Sequence, residues 1–359
     1  MSATRNDNST DPRATRRVFL AGCKRSGTTW AMLLLAQHPE VVALQQTDFF
    51  RQLRQFGCWW REDQQWGMSV LHLPVAEDTA ESVELSKEGL VRRKLADVQT
   101  MDQYYAMARE LAGDVYERFR ATRPEATTVV DQTPENVQVW EEILEVFPDA
   151  VFLHMIRDPR AVYASYRGAV RAWGDPRHFP TDPTEFAEEW KRDVFLARAI
   201  GERTDAYVEV RFEDLKREGA PKLLELMQRL GLEADEALAQ RALDACSIEK
   251  LRTADHGPQG FFRKGEAEGW RKDLSARQIR AIEHLLEEEM RALGYEPSLG
   301  RDVRAPLSLR VSQGIRGTKR RFANWAWGSE GPVRRAASRT LRKLPGLRRT
   351  LLNTIQKPG

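Results

Sequence analysis

Between Val18 and Ala36 a short apolar run, Val18-Phe19-Leu20-Ala21, enters a loop punctuated by Gly22 and Gly27, and a second apolar run follows from Trp30 to Ala36. Four apolar residues closed by a glycine suit a buried strand. The longer run suits a buried helix that stops near His38-Pro39. Strand, glycine loop and helix in this order open a phosphate-binding βαβ unit. A chain that begins this way is committed to a mainly parallel sheet with helices on both faces.

The rest of the chain keeps that alternation. Strands are expected at Thr127–Asp131, Ala150–Ile156 and Ala206–Phe212. Helices are expected near Glu135–Phe147, after Pro159, at Phe186–Gly201, Pro221–Leu230, Glu236–Ala245 and Ala276–Leu293. The fold class is therefore α/β, three layers of the P-loop nucleoside-phosphate-binding type. Residues 45–125 interrupt it with Phe49, Phe50, Phe56, Trp59, Trp60, Trp66, Tyr104 and Tyr105, and with a helical, polar pattern from Val83 to Arg120. Two readings stand for this insertion: an acceptor pocket over the sheet, or ordinary helical packing with aromatic anchors.

Charge divides the chain. Residues 301–359 hold 15 Lys and Arg against two acids, net +13, while the other 300 residues hold 41 basic and 51 acidic residues, net −10. We read residues 1–16 as a disordered arm without a secretory signal, 17–300 as the catalytic domain, and 301–359 as a basic tail of amphipathic helices. Such a tail suits an anionic membrane surface or an acidic carrier protein; nucleic acid is disfavoured. The alternative is a solvated extension. No apolar run approaches the roughly 20 residues of a membrane span. Cys23, Cys58 and Cys246 are widely spaced and form no metal-ligand pattern, so the expectation is a reducing, cytoplasmic protein without a metal, peripheral to the membrane if the tail binds it.

Residues 22–29, G-C-K-R-S-G-T-T, nearly fit G-x-x-x-x-G-K-[ST], but Thr28 stands where the triphosphate-binding lysine belongs. The positive charge lies within the loop, as Lys24 and Arg25. Loop amides and a helix N-terminus still attract an anion. Arg25-Ser26-Gly27-Thr28-Thr29-Trp30 resembles the 5′-phosphosulfate loop of the sulfotransferase superfamily, whose donor is 3′-phosphoadenosine 5′-phosphosulfate (PAPS). The resemblance implies that Arg25 neutralises the leaving bridging oxygen, that Ser26, Gly27, Thr28 and Thr29 bind the 5′-phosphate, and that Trp30 lies near the adenine; Lys24 adds its charge to the cofactor-binding loop.

Further segments carry the same resemblance. In Ile156-Arg157-Asp158-Pro159 the arginine ends a strand, and Ser165 follows about two helical turns later; in the family such a pair grips the 3′-phosphate. Arg263-Lys264-Gly265 resembles the C-terminal loop that binds the same phosphate. V-E-V-R-F-E-D-L, from Val208, places Phe212 where the family carries a tyrosine near the adenine. A planar fork of arginine donors with a hydroxyl is suitable chemistry for a phosphate.

The acceptor side matches less well. The stretch from Arg25 to Phe50 resembles tyrosylprotein sulfotransferases, but Gln46 stands where they carry a catalytic glutamate, and Gln132 replaces a lysine in Asp131-Gln132-Thr133-Pro134. Asp48 and Asp131 are the substitute candidates for the base. His72, in Leu71-His72-Leu73-Pro74, and His256 are alternatives, though a lone histidine is more often structural. The implied function is transfer of a sulfuryl group from PAPS to a small-molecule, glycan or lipid acceptor. A P-loop kinase or NTPase, and a non-catalytic membrane- or carrier-binding protein with a vestigial nucleotide site, are the competing readings.

Overall fold

The computed structural model describes residues 15–57, 69–72, 91–94, 100–174, 178–253 and 267–298. Strand β1 (Arg16–Ala21) leads through the glycine loop into α1 (Thr28–Leu35), then β2 (Val41–Gln45) and α2 (Phe49–Gly57). Strands β3 (Ser69–His72) and β4 (Val91–Lys94) pair with each other antiparallel. Helix α3 (Met101–Arg120) precedes β5 (Thr128–Gln132), a 3₁₀ turn (Pro134–Gln138), α4 (Trp140–Val146) and β6 (Val151–Ile156). There follow α5 (Pro159–Trp173), α6 (Pro183–Arg203), β7 (Tyr207–Arg211), α7 (Phe212–Glu218), α8 (Ala220–Arg229), α9 (Glu236–Ala245) and α10 (Ile248–Thr253). The last described elements are α11 (Trp270–Asp273), α12 (Ala276–Leu285) and α13 (Glu287–Ala292).

The main sheet has the order β2-β5-β1-β6-β7, and every pairing in it is parallel. Side chains alternate across it as the pleat requires. Val18, Leu20, Val130, Leu153 and Val210 face a core shared with α1, α8 and α9. Phe19, Val129 and Phe152 face the other way, onto α3, α4 and α6. Phe19 anchors an aromatic cluster there, its ring centroid 5.4 Å from Phe50 and 5.9 Å from both Tyr116 and Phe152. Burying a Phe side chain is worth roughly 1.5–3 kcal/mol, so this cluster fixes the aromatic insertion onto the sheet.

The strand order positions the site. From β1 the chain crosses over to β2 on one side, and from β6 it crosses to β7 on the other. The crevice at the carboxyl ends of β1 and β6 is thus a topological switch point, where open α/β sheets bind ligands. The loop 22–27 and Arg157 both open onto it.

Three local expectations need correction. The first strand begins before residue 17: Arg16 lies in β1, and the Thr15 hydroxyl donates to Glu117 Oε2 at 2.7 Å. The insertion is not wholly helical, since β4 falls inside the stretch expected as helix, where ladder pairing with β3 overrides the helix propensity of Arg and Lys. Helix 276–293 is broken at Leu286, whose buried side chain packs inward with φ −123. Arg263, Lys264, Gly265, His256, the tail 301–359 and the Trp59, Trp60 and Trp66 positions lie outside the described residues.

Candidate active site

The loop after β1 needs its glycines. Gly22 has φ +138, and a Cβ there would stand 2.6 Å from the Met155 carbonyl oxygen. Gly27 has φ +104, and a Cβ there would stand 2.6 Å from the Phe212 ring. Gly27 is also the N-cap of α1, and no side chain caps that helix, so its first amides are free to meet an anion. Three non-glycine residues among those described have positive φ: Arg25 (65), Gln46 (51) and Asp48 (55). All three follow the carboxyl ends of β1 and β2. Backbone strain of this kind costs of order 1–3 kcal/mol and gathers at functional sites.

The two phosphate segments expected from the sequence meet here. Arg25 Nε donates to Ser165 Oγ at 3.1 Å, and Arg157 Nη1 donates to the Arg25 carbonyl at 3.2 Å. The Arg157 guanidinium lies 4.1 Å over the Phe212 ring, and that of Arg25 lies 5.5 Å from the Trp173 ring. Phe212 is buried and also packs edge-on against Trp30 at 5.4 Å. Trp30 is itself nearly enclosed: its Nε1 donates to the Cys246 carbonyl at 3.1 Å, and Lys216 Nζ sits 4.8 Å over its ring. Burial lowers the pKa of Lys216.

Arg157 is held from behind. Asp158 caps α5 by accepting from Arg160 N, and the Asp158 amide donates to Glu213 Oε1 at 2.9 Å. Glu213 is fixed in turn by the Tyr295 hydroxyl at 2.9 Å. Buried Arg160 clasps Asp158 and reaches Glu283 at 2.6 Å, tying the turn to the C-terminal helices.

The loop residues divide by environment. Ser26 and Thr28 are buried and Thr29 is half-buried. Thr28 Oγ1 accepts from Gln132 Nε2 at 3.1 Å, while Ser26 Oγ has no hydrogen-bond partner among the described residues. Lys24 turns away, to Glu135 Oε1 at 3.6 Å and Glu189 Oε1 at 3.8 Å. Glu189 accepts from the Tyr166 hydroxyl, which also lies 3.3 Å from Cys23 Sγ. Cys23, Glu189 and Asp193 bring ligand-type atoms within 4.8 Å of one another, but Lys24 and Arg192 already pair with the two carboxylates. Burial pushes the Cys23 thiol well up, which makes it a poor nucleophile.

Both candidate bases from the sequence are compromised. Asp131 is wholly buried, its Oδ2 accepting from Thr47 (2.8 Å) and Tyr116 (2.6 Å) and its Oδ1 from Thr133 (2.8 Å) and Asn136 (3.1 Å). It has no face left for an acceptor hydroxyl; it is a buttress between β5, α3 and the segment after β2. Asp48 reaches the mouth but is clasped by Arg51 and joined by Gln52 at 3.2 Å. The Arg51 hydrogen bonds hold its carboxyl below the usual range, which weakens it as a proton acceptor. Gln46 is exposed, with its amide bound to the Gln132 carbonyl at 2.9 Å. His154 is buried in β6 with Nδ1 2.6 Å from the Tyr207 oxygen, and His72 is the last residue of β3.

Residues 17–236 match the model of the sulfotransferase family. The chain belongs to that family. The chain is 25% identical over 304 residues to the nodulation protein NoeE of Sinorhizobium fredii, a match covering 78% of the chain and 66% of NoeE. It is 23% identical over 124 residues to flavonol 3-sulfotransferase of Flaveria bidentis, covering 29% of the chain and 40% of that protein. Among solved structures, the sulfotransferase domain of the Synechococcus PCC 7002 olefin synthase aligns with TM-score 0.47 and 18% identity, over 79% of this chain and 96% of that one.

Glu135, which the sequence reading placed only at the start of a helix, stands beside Lys24 of the loop. It directly follows Asp131-Gln132-Thr133-Pro134, and the signal for it was positional. A residue just past the carboxyl end of β5 must stand beside the β1 loop if β5 neighbours β1, but that neighbour relation is absent from the linear pattern.

Proposed function

We propose that this sulfotransferase moves a sulfuryl group from PAPS to a hydroxyl or amine acceptor by in-line displacement, releasing 3′-phosphoadenosine 5′-phosphate (PAP). One observation carries the reading. Two segments 140 residues apart, whose separate resemblances imply the 5′-phosphosulfate and 3′-phosphate subsites, converge through the Arg25–Ser165 and Arg157–Arg25 hydrogen bonds at the switch point.

The residues present fit the donor. The uncapped N-terminus of α1, the orphaned Ser26 hydroxyl and the glycine cradle suit a 5′-phosphate. Arg157 and Ser165 would take the 3′-phosphate, joined by Arg263, Lys264 and Gly265. Phe212 and Trp30 supply apolar rings at the adenine side. The donor supplies an activated sulfuryl group; this chain supplies position and fixed positive charge, with Arg25 placed to offset charge on the leaving oxygen. Lys24, engaged by two carboxylates, is a brace for the loop in this arrangement. Thr28 in place of a loop lysine weighs against a kinase or NTPase.

Calorimetric titration with PAP, with ADP and ATP as controls, tests the reading. Selective PAP binding is expected; equal or tighter binding of ATP would overturn it. A phenol heads the acceptor screen because one relative is named for a flavonol. The basic tail, we further propose, brings the enzyme to an anionic membrane surface. Truncation after Gly300 should then abolish sedimentation with phosphatidylserine vesicles, and unaltered sedimentation would end that idea.

A further inference from the structure

Transfer to a hydroxyl needs a group that takes its proton as the oxygen attacks sulfur. The carboxylates around the loop differ in how their lone pairs are engaged. Asp131 is saturated by four donors and sealed from solvent. Asp48 is clasped by Arg51. Glu189 accepts from Tyr166 and faces the buried Cys23 side chain. Glu135 accepts no hydrogen bond from a described residue; its one ion pair there is the 3.6 Å contact with Lys24, and its side chain is 28% exposed. From these environments we infer that Glu135 is the catalytic base, an assignment that rests on the sulfotransferase reading above.

Its place in the fold supports this. Glu135 lies in the first turn after β5, the parallel neighbour of β1, with Asp131 in register with Phe19. Its backbone is rigidly set: Pro134 begins the turn, the Asn136 amide donates to the Thr133 carbonyl at 2.9 Å, Asn136 Nδ2 reaches Asp131, and Val137 is wholly buried. Lys24, its ion-pair partner among the described residues, immediately precedes Arg25. In an in-line displacement the entering and leaving oxygens stand on opposite sides of sulfur. Arg25 serves the leaving side and Glu135 the entering side. The acceptor oxygen forms a bond to sulfur with its own electron pair, the bond from sulfur to the bridging oxygen breaks, and that oxygen departs on the 5′-phosphate with the electrons. The acceptor proton ends on a Glu135 carboxylate oxygen.

The test compares wild type, Glu135→Gln and Asp48→Asn for PAP affinity by calorimetry and for sulfuryl transfer from PAPS to 2-naphthol and to water, read as naphthyl sulfate and free sulfate. The expected result is that Glu135→Gln binds PAP within about twofold of wild type and loses transfer at least ~100-fold. Unchanged transfer in Glu135→Gln overturns the assignment. So does a parallel fall in PAP affinity and transfer, which would make Glu135 a positioning residue acting through Lys24. Loss of transfer in Asp48→Asn with Glu135→Gln intact returns the role to Asp48. A wild-type chain that neither binds PAP nor transfers the sulfuryl group of PAPS to naphthol or water fails the sulfotransferase reading itself, separately from Glu135.

Discussion

Arg157 braces the loop that precedes it in the chain by 130 residues: its Nη1 donates to the Arg25 carbonyl at 3.2 Å while its guanidinium lies 4.1 Å over Phe212. On the proposed reading, the arginine assigned to one phosphate therefore also sets the loop assigned to the other. Arg157→Ala should weaken PAP binding by ~100-fold or more, since charge-assisted hydrogen bonds are worth roughly 1.5–3 kcal/mol each. Arg157→Lys should recover only part of this, because an ammonium has no planar fork to span a phosphate and stack on a ring. Calorimetry on both variants checks the order; equal affinity in the lysine variant and wild type would remove the bracing role.

Gly27 cannot carry a side chain. At φ +104 an alanine costs about 1–3 kcal/mol of backbone strain, and its Cβ would also stand 2.6 Å from the Phe212 ring. Gly27→Ala should unfold at lower urea concentration and lose PAP binding. Adding Phe212→Ala relieves the clash and leaves the strain, so the double variant should show a favourable coupling in stability without regaining affinity. Strict additivity of the two would mean that the ring and the loop do not press on each other.

The parts of the site that follow from a strand end and a glycine spacing were legible in the chain. The β1 loop, Arg157 at the end of β6 and Ser165 two turns into α5 are placed by local pattern, and the parallel sheet follows from alternation. What depends on which strands become neighbours was not legible. Asp131 and Glu135 sit four residues apart, yet one is sealed among Thr47, Tyr116, Thr133 and Asn136 while the other faces Lys24. Their contrast arises from β5 inserting between β1 and β2, and no spacing within 131–135 encodes it. The Arg51 clasp on Asp48 is local, at i and i+3, and was readable in principle.

Asp131 should matter for stability rather than for chemistry. Asparagine in its place presents an amide group to partners that now donate, and Asn136 Nδ2 cannot reverse its role as a hydroxyl can. Asp131→Asn should cost about 2–4 kcal/mol in urea unfolding, in line with lost hydrogen bonds to a buried charged group. Once folded, it should bind PAP nearly as wild type does. A stable variant without transfer would instead make Asp131 a participant in the reaction.

Asp193 gives the fold a pH dependence. It is buried on α6, faced by Arg192 on the same helix, by Glu189, and by Cys23 and Lys24 of the β1 loop. Burial is the largest influence and raises its pKa to about 6, against the pull of Arg192. The folded state thus holds its proton more tightly than the unfolded chain, so stability is greatest below the unfolded pKa, near 4, and declines as pH rises toward 6. A shift of about two units is worth ~3 kcal/mol across that window. Urea unfolding between pH 4.5 and 7.5 should show this decline in wild type, superposed on the other titrating groups, and a shallower one in Asp193→Asn. The difference between the two proteins should grow up to pH 6 and then level off. If the two curves run parallel throughout, Asp193 titrates as an ordinary carboxylate, and its pairing with Arg192 offsets its burial.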